Sequence, residues 1–334
     1  MIDNAEAQEL VARTQRRRHY TAAIRMRAQQ GGLVFAFAIV VVVFSALRPD
    51  TFETLSNLQT ILSSQAVILT LAIAFMVPLI TGELDLSLAA VMGMSNVLVG
   101  WLNVDQRWPI WLAVAGAVMA GAVIGLVNGL LVVKLKLSSI VVTLGMGTFL
   151  AGLALGITTT PITGLSTKLV SVVRFQMFGL QASFYIALAV TLAVWYVLSY
   201  TPIGRYLYFV GAGETVARLA GLRVDRLKVG AFVAGGVIAA IGGVLLVGLL
   251  GAADPNSGPN LVLPGLASVF LGVTAFTPGR YNAPGTFFAV YFLVTGITGL
   301  ELLGYSGWVS QVFYGASLVV AVALSRLVGN RQSA

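Results

Sequence analysis

Two stretches of this chain, from Leu55 to the residue before Glu83 and from Ile110 to Val133, contain no charged residue at all. An α-helix needs about 20 apolar residues to cross the roughly 30 Å of bilayer hydrocarbon, so runs of this kind restrict the chain more than any other feature. Only 10% of its 334 residues are charged and 58% are hydrophobic, whereas soluble domains carry about 25% charge. The sequence is that of an all-α polytopic membrane protein.

Boundaries follow from breaks in the apolar pattern. The first span is expected at about 31–47, ended by Arg48-Pro49-Asp50, because proline disfavours helix at the residue before it. Further spans are expected at about 58–80, from 88 to near Asn103, and at 110–133, 140–157 and 182–199. Four more follow at 229–250, 262–276, 283–303 and 308–327, about ten in all. A basic tail (1–29), the membrane domain (30–327) and a short tail (328–334) divide the chain. Spans 2–5 and 7–10 form two four-helix blocks of opposite orientation, the layout of an inverted repeat.

The net charge of +8 is distributed as a topology signal, with no nucleic acid as partner. With both termini cytoplasmic, 16 of the 20 Lys and Arg residues fall on inner segments, leaving Arg48, Arg107, Lys168 and Arg174 outside. No cysteine is present, which excludes a thiolate metal centre, and the single histidine, His19 in the basic tail, argues against an imidazole-based metal centre or a Ser/His/Asp triad. There is no G-x-x-x-x-G-K-[ST], so the chain cannot cradle and hydrolyse ATP by itself in the P-loop way, and it is expected to be neither an enzyme nor a cofactor binder.

The polar stretch 201–228, TPIGRYLYFVGAGETVARLAGLRVDRLK, carries five basic and two acidic residues. After a Gly-Ala-Gly break, Glu214–Leu219 reads as a short helix closed by Gly221. An amphipathic helix on the cytoplasmic face is a docking surface for a soluble partner. The other unusual stretch, Thr81–Ser87, sets Glu83 and Asp85 between two spans. At i, i+2 they lie on different faces of a helix, a poor arrangement for an acid pair. Asp85 or Ser87 capping the next helix is one reading, a place in the translocation path or its gate is another, and a plain inner loop is a third. Asn128 and Thr143, polar residues within apolar spans, either hydrogen-bond a neighbouring helix or line that path. Gly121/Gly125/Gly129 and Gly235/Ala239/Gly243 are spaced for close helix packing.

Three segments carry a family resemblance: LITGELDLSLAAVMGMSNV (79–97), NGLLVVKLKLSSIVVTLGMGTFLAGLAL (128–155) and GRYLYFVGAGETVARLAGLRVDRLKV (204–229). They resemble T-G-G-I-D-L-S-x-G-S, N-G-x₈-P-x-F-I-x-T-L-G and G-R-x₃-A-x-G-x-N-x₂-A-A-x₂-S-G-I of the permease subunits of bacterial ABC importers for monosaccharides, the ribose-type group. Glu83-Leu84 stands where those members have Gly-Ile, and Ser138-Ser139 where they often have proline. The resemblance implies a multi-pass protein of the bacterial inner membrane, paired with a second permease copy or a paralogue. It also implies two cytoplasmic ATPase domains and a periplasmic substrate-binding protein. In that family the central loop is the coupling helix that enters the ATPase, which points to Gly204, Arg205, Gly211, Glu214, Ala217, Arg218 and Gly221. Branched-chain amino acids or nucleosides are the alternative cargo, and a secondary transporter the alternative class.

Overall fold

The computed structural model describes residues 31–305 and 307–329. The basic tail with His19, and the last residues from 330 on, lie outside the described residues. Among the described residues fifteen α-helices follow one another. The first is α1 (Gly31–Leu47). After it come α2 (Pro49–Phe52), α3 (Leu55–Ser64), α4 (Ala66–Ile80), α5 (Leu88–Gly100), α6 (Ile110–Lys134), α7 (Ser139–Ile157) and α8 (Thr167–Arg174). A two-residue hairpin, β1 (Gln176–Met177) and β2 (Leu180–Gln181), precedes α9 (Ala182–Tyr200), α10 (Pro202–Ala212), α11 (Glu214–Leu219) and α12 (Val224–Leu250). The series ends with α13 (Val262–Gly272), α14 (Ala283–Leu302) and α15 (Trp308–Gly329).

Among the described residues six helices are long and apolar enough to cross a membrane: α5 with its π-helical extension to Asp105, α6, α7, α9, α12 and α14. The expected second span starts three residues early and is two helices, α3 and α4, bent by 40° at Gln65. Three shorter apolar helices, Gly31–Leu47, Pro259–Gly272 and Trp308–Ala323, complete the set. The protein is an all-α, multi-pass membrane protein in which the small hairpin is a local exception.

The core lies on α4, α5, α12 and α14. Every residue of α4 except Ile68 is buried, whereas α7 buries only Thr143, Leu150 and Ala154 and leaves the rest of its apolar surface open. Helices in lipid gain nothing from hiding apolar surface from each other, so packing rests on close approach of backbones. α12 achieves this on two sides. Towards α6, a Cβ at Gly121 would come within 2.5 Å of the Gly236 carbonyl, and Gly125 and Gly129 meet Phe232 and Val229 in the same way. Towards α4 and α5, Gly235 faces the Ala74 carbonyl and Gly243 the backbone of Met92. The two glycine stripes of the sequence therefore do different jobs: the α6 stripe seats α12, and the α12 stripe seats α5.

Connecting segments gather at two ends. At one end Ile162 and Ala253 exchange backbone hydrogen bonds of 2.9 Å, and Asn103 Oδ1 accepts from the Ser166 N–H. There too, Arg174 donates through Nη2 to the Leu249 carbonyl at 2.6 Å, a cation on the open carbonyls at the end of α12. At the opposite end residues 81–87, the start of α7, residues 201–228 and residues 280–281 come together.

Candidate functional site

Loop 81–87 hangs from the end of α4. Pro78 lies in the last turn of α4, whose Pro78 and Leu79 carbonyls take the N–H groups of Thr81, Gly82 and Glu83, and Gly82 at φ +87° turns the chain. The two carboxylates then part. Asp85 turns inward and is buried, its Oδ1 accepting from the Ser87 N–H at 2.9 Å and the Ser87 hydroxyl at 2.6 Å. The Asn128 amide donates to the same hydroxyl at 2.8 Å. Thr143 accepts the Leu86 N–H at 2.9 Å while donating to the Ser139 carbonyl at 2.7 Å. Asp85, Ser87, Asn128 and Thr143 are thus one buried hydrogen-bonded unit joining α5, α6 and α7 to the loop. Burial pushes the Asp85 carboxyl up from the ordinary 3.8 to about 6, against the pull of its two Ser87 hydrogen bonds. Its Oδ2 and the Asn128 Oδ1 have no partner among the described residues.

Ser87 precedes α5 but makes no side-chain capping bond. Asp85 spans a turn of two residues, the local side-chain-to-backbone bonding that aspartate favours in turns.

Glu83 turns the other way and meets Lys228. Its Oε1 is 2.7 Å from the lysine Nζ, and the same Nζ is 2.6 Å from Glu214 Oε2. Glu214 also accepts from Arg218 at 2.8 Å, one turn further along α11, and Arg218 reaches Asp225 at the start of α12. The Lys228 hydrogen bond first, and the Arg218 bond second, hold the Glu214 carboxyl below the usual carboxylate range. One chain of alternating charges therefore runs from loop 81–87 through α12 to α11.

The expected docking helix is α11, with Gly221 at φ +81° ending it. The stretch before it is itself the helix α10, which runs through Gly211 and Ala212 of the expected break and ends at Gly213. Ala217 is fully buried among Val210 and Val224, a small core that fixes α11 against α10 and α12. Gly204 permits the tight turn from α9, where a Cβ would collide with the Leu198 backbone. Gly211 lies so close to the Ile80 carbonyl that any side chain would displace it. α10 is thus seated on the last residue of α4, beside the loop that Lys228 grips. Arg205 stands apart on the exposed face of α10 and lines a separate cavity with Arg280 and Tyr208, where the guanidinium of Arg280 lies 4.2 Å over the Tyr208 ring.

Sequence reasoning singled out both groups of residues but not the lysine that joins them. Lys228 looked like the end of a polar loop, and α12 begins before it, so it is a charge inside a helix whose remaining residues, Val229–Leu250, carry none. That position, together with a glutamate at 83 in need of a counter-charge, was the available signal. Among the described residues no three His, Cys, Asp or Glu side chains gather where a metal ion could sit.

Residues 57–322 match a family model described as "Branched-chain amino acid transport system / permease component". The chain is similar to the ribose import permease protein of Bacillus subtilis (strain 168), with 32% identity over 93% of this chain and 96% of that protein. It is 28% identical to the D-allose transport system permease protein of Escherichia coli (strain K12), over 89% of this chain and 91% of that protein. It is 29% identical to the L-arabinose ABC transporter permease protein of Azospirillum brasilense, over 91% of this chain and 90% of that one. A helical membrane protein that matches the family model over most of its length, and its relatives over nearly all of theirs, this chain belongs to the family of transport-system permease components.

Proposed function

We propose that this chain is the membrane-embedded subunit of an ATP-driven importer and forms the path for a monosaccharide or related polyol. The observation that carries the reading is the Lys228 bridge: a short exposed helix, α11, is tied through one lysine to the loop that ends α4. A force applied to α11 from outside the bilayer reaches the core helix of the bundle through ion pairs and the Gly211–Ile80 contact, without a soft linker between them. In the mechanism we infer, a partner ATPase binds ATP and Mg²⁺ and its two domains close. α11 moves with its ATPase domain, and α4, loop 81–87 and α5 re-aim the cavity between inward and outward access.

The six long helices, the bent α3–α4 pair and the three shorter apolar helices support about ten crossings, spans 2–5 and 7–10 being two blocks of opposite orientation. That arrangement puts 81–87, 134–139, 201–228 and 280–281 on the cytoplasmic side with both termini, in agreement with their mutual contacts. It puts 103–109, 158–181 and 251–257 on the periplasmic side of a bacterial inner membrane. The functional unit has a second permease copy or a paralogue, two ATPase domains and a periplasmic binding protein. Sugar cargo is favoured by the relatives, whose names specify ribose, allose and arabinose.

The test is purification from the native membrane with partners identified by mass, followed by ATPase assay with sugar-loaded binding protein. An ATPase that co-purifies and is stimulated by the loaded binding protein is the expected result. A chain that purifies alone and transports without ATP overturns the proposal.

A further inference from the structure

The end of the bent pair away from Lys228 holds a cavity of about 280 Å³ that the charged site does not use. Ser56, Gln59, Thr60, Ser63 and Ser64 of α3 form one wall and Gln176 of β1 another. Spacings of 3, 4, 7 and 8 from Ser56 put the five α3 residues on one helical face, while Leu55 and Leu58 are exposed on the rest of the helix. The lining is hydroxyl and amide throughout, with no charge. Thr60 and Ser64 turn their hydroxyls back to the Ser56 and Ile61 carbonyls, but the Gln59 and Gln176 amides would be unsatisfied in hydrocarbon, so the stripe faces water or a polar occupant.

The notch is constructed rather than left over. The Ser63 hydroxyl accepts the Gln181 N–H at 3.2 Å, which fastens the hairpin to α3. Gly179, at φ +78°, brings the hairpin turn against the Gln59 amide, where a Cβ would overlap Nε2. Thr60 donates to the Ser56 carbonyl at 2.8 Å, which leaves its oxygen as an acceptor. At the bend below, Gln65 donates to Ser64 Oγ at 3.0 Å, and its buried Oε1 has no partner among the described residues.

We propose that this notch is an outer subsite for cargo, and that it takes an uncharged polyhydroxylated solute the size of a single sugar ring. Amide and hydroxyl groups each offer donor and acceptor capacity, which matches a ring of hydroxyls that both donate and accept. An amino acid would bring a carboxylate and an ammonium into a wall with no counter-charge. The volume equals about nine water volumes of about 30 Å³ each, room for one ring. The inference rests on the import reading above and deepens it.

The natural absence of cysteine makes single-cysteine variants clean reporters. Ser64→Cys and Thr60→Cys, with Leu58→Cys as the apolar-face control, are placed in the complete importer in right-side-out vesicles and treated with a membrane-impermeant thiosulfonate. Ribose, allose, arabinose and leucine are the protecting probes, each at high concentration. We expect modification at 60 and 64 but not at 58, slowed about ten-fold by at least one sugar present at about ten times its dissociation constant, and not by leucine. No modification, unchanged rates with every sugar, or equal protection by leucine overturns the subsite. Sugar uptake and binding-protein-stimulated ATPase activity of the unsubstituted importer are read in the same vesicles. Their absence alongside sugar protection overturns the import reading and keeps the notch. Their presence without protection does the reverse, and the absence of both overturns both.

Discussion

Replacing Lys228 with methionine keeps most of the side-chain length and removes the charge, and the structure sets what this costs. Glu83 has a side-chain exposure of 16% and Lys228 is the partner it meets, so the variant leaves a mostly buried, unpaired carboxylate. Removing one member of a fully buried pair costs about 3–5 kcal/mol, and the residual exposure of Glu83 brings its share down to about 2–3 kcal/mol. Glu214 is 43% exposed and keeps Arg218, so its loss is that of a surface pair, about 0.5 kcal/mol. The sum is about 3 kcal/mol of stability. Glu83→Gln removes the stranded charge, so the double variant Glu83→Gln/Lys228→Met should recover about 2 kcal/mol relative to the additive expectation. The assay is a double-mutant cycle on thermal or denaturant unfolding of the purified importer, with sugar transported per ATP hydrolysed measured on the same samples. Lys228→Met should lower that ratio while the ATPase still co-purifies. Unfolding of Lys228→Met at the wild-type midpoint, or effects of the two substitutions that add to within about 0.5 kcal/mol, would refute the bridge as a mechanical link.

Two further perturbations test the neighbouring contacts. Asp85 has a raised folded-state pKa, so its contribution to stability is fully present below 3.8 and is lost as pH rises through about 6. The displacement corresponds to about 3 kcal/mol, so melting of the wild type should fall relative to Asp85→Asn as pH rises from 3.8 to about 6, and parallel profiles would refute the assignment. Gly211→Val must push α10 off the Ile80 carbonyl; on an overpacking cost of about 1–3 kcal/mol it should lower the melting temperature and the transport-to-hydrolysis ratio together, and unchanged values of both would count against the α10–α4 contact.

Much of this was legible in the sequence because membrane chains announce their helices through charge-free length. The short helix α11 was legible too, since Gly213 and Gly221 bracket a run of helix formers and Gly221 takes the left-handed conformation that such a stop requires. The bend at Gln65 was not. Nothing in LSSQAV breaks helix by propensity, so only the three-dimensional course of α3 and α4 reveals it. The hairpin was missed for a similar reason: two-residue strands carry no period to read, and this one is held by Ser63, more than a hundred residues away. Lys228 was counted with a loop because a polar run and a helix start look alike when the helix begins Val-Asp-Arg-Leu-Lys.

The charged bridge and the neutral notch lie at opposite ends of the same α3–α4 pair, and this gives the 40° bend a mechanical meaning. α4 is buried along nearly its whole length, so it transmits displacement as a rigid element. α3 is hydrogen-bonded to the hairpin through Ser63 and buries only Ile61 and Ser63. A push at α11 that shifts the end of α4 therefore has its compliance concentrated at Gln65, the one hinge between the two helices, and not within the packed core. Glu83 belongs to the same logic. Where the sugar-permease pattern has glycine, this chain has a carboxylate, and an ion pair to Lys228 stiffens a joint that glycine would leave to backbone packing alone. Restoring that glycine with Glu83→Gly then leaves Lys228 paired to Glu214 alone. It should loosen loop 81–87, measured as faster amide exchange there, while α3 and the hairpin are unaffected. Unchanged exchange in the loop would mean that the Gly211–Ile80 contact, and not the bridge, sets its stiffness.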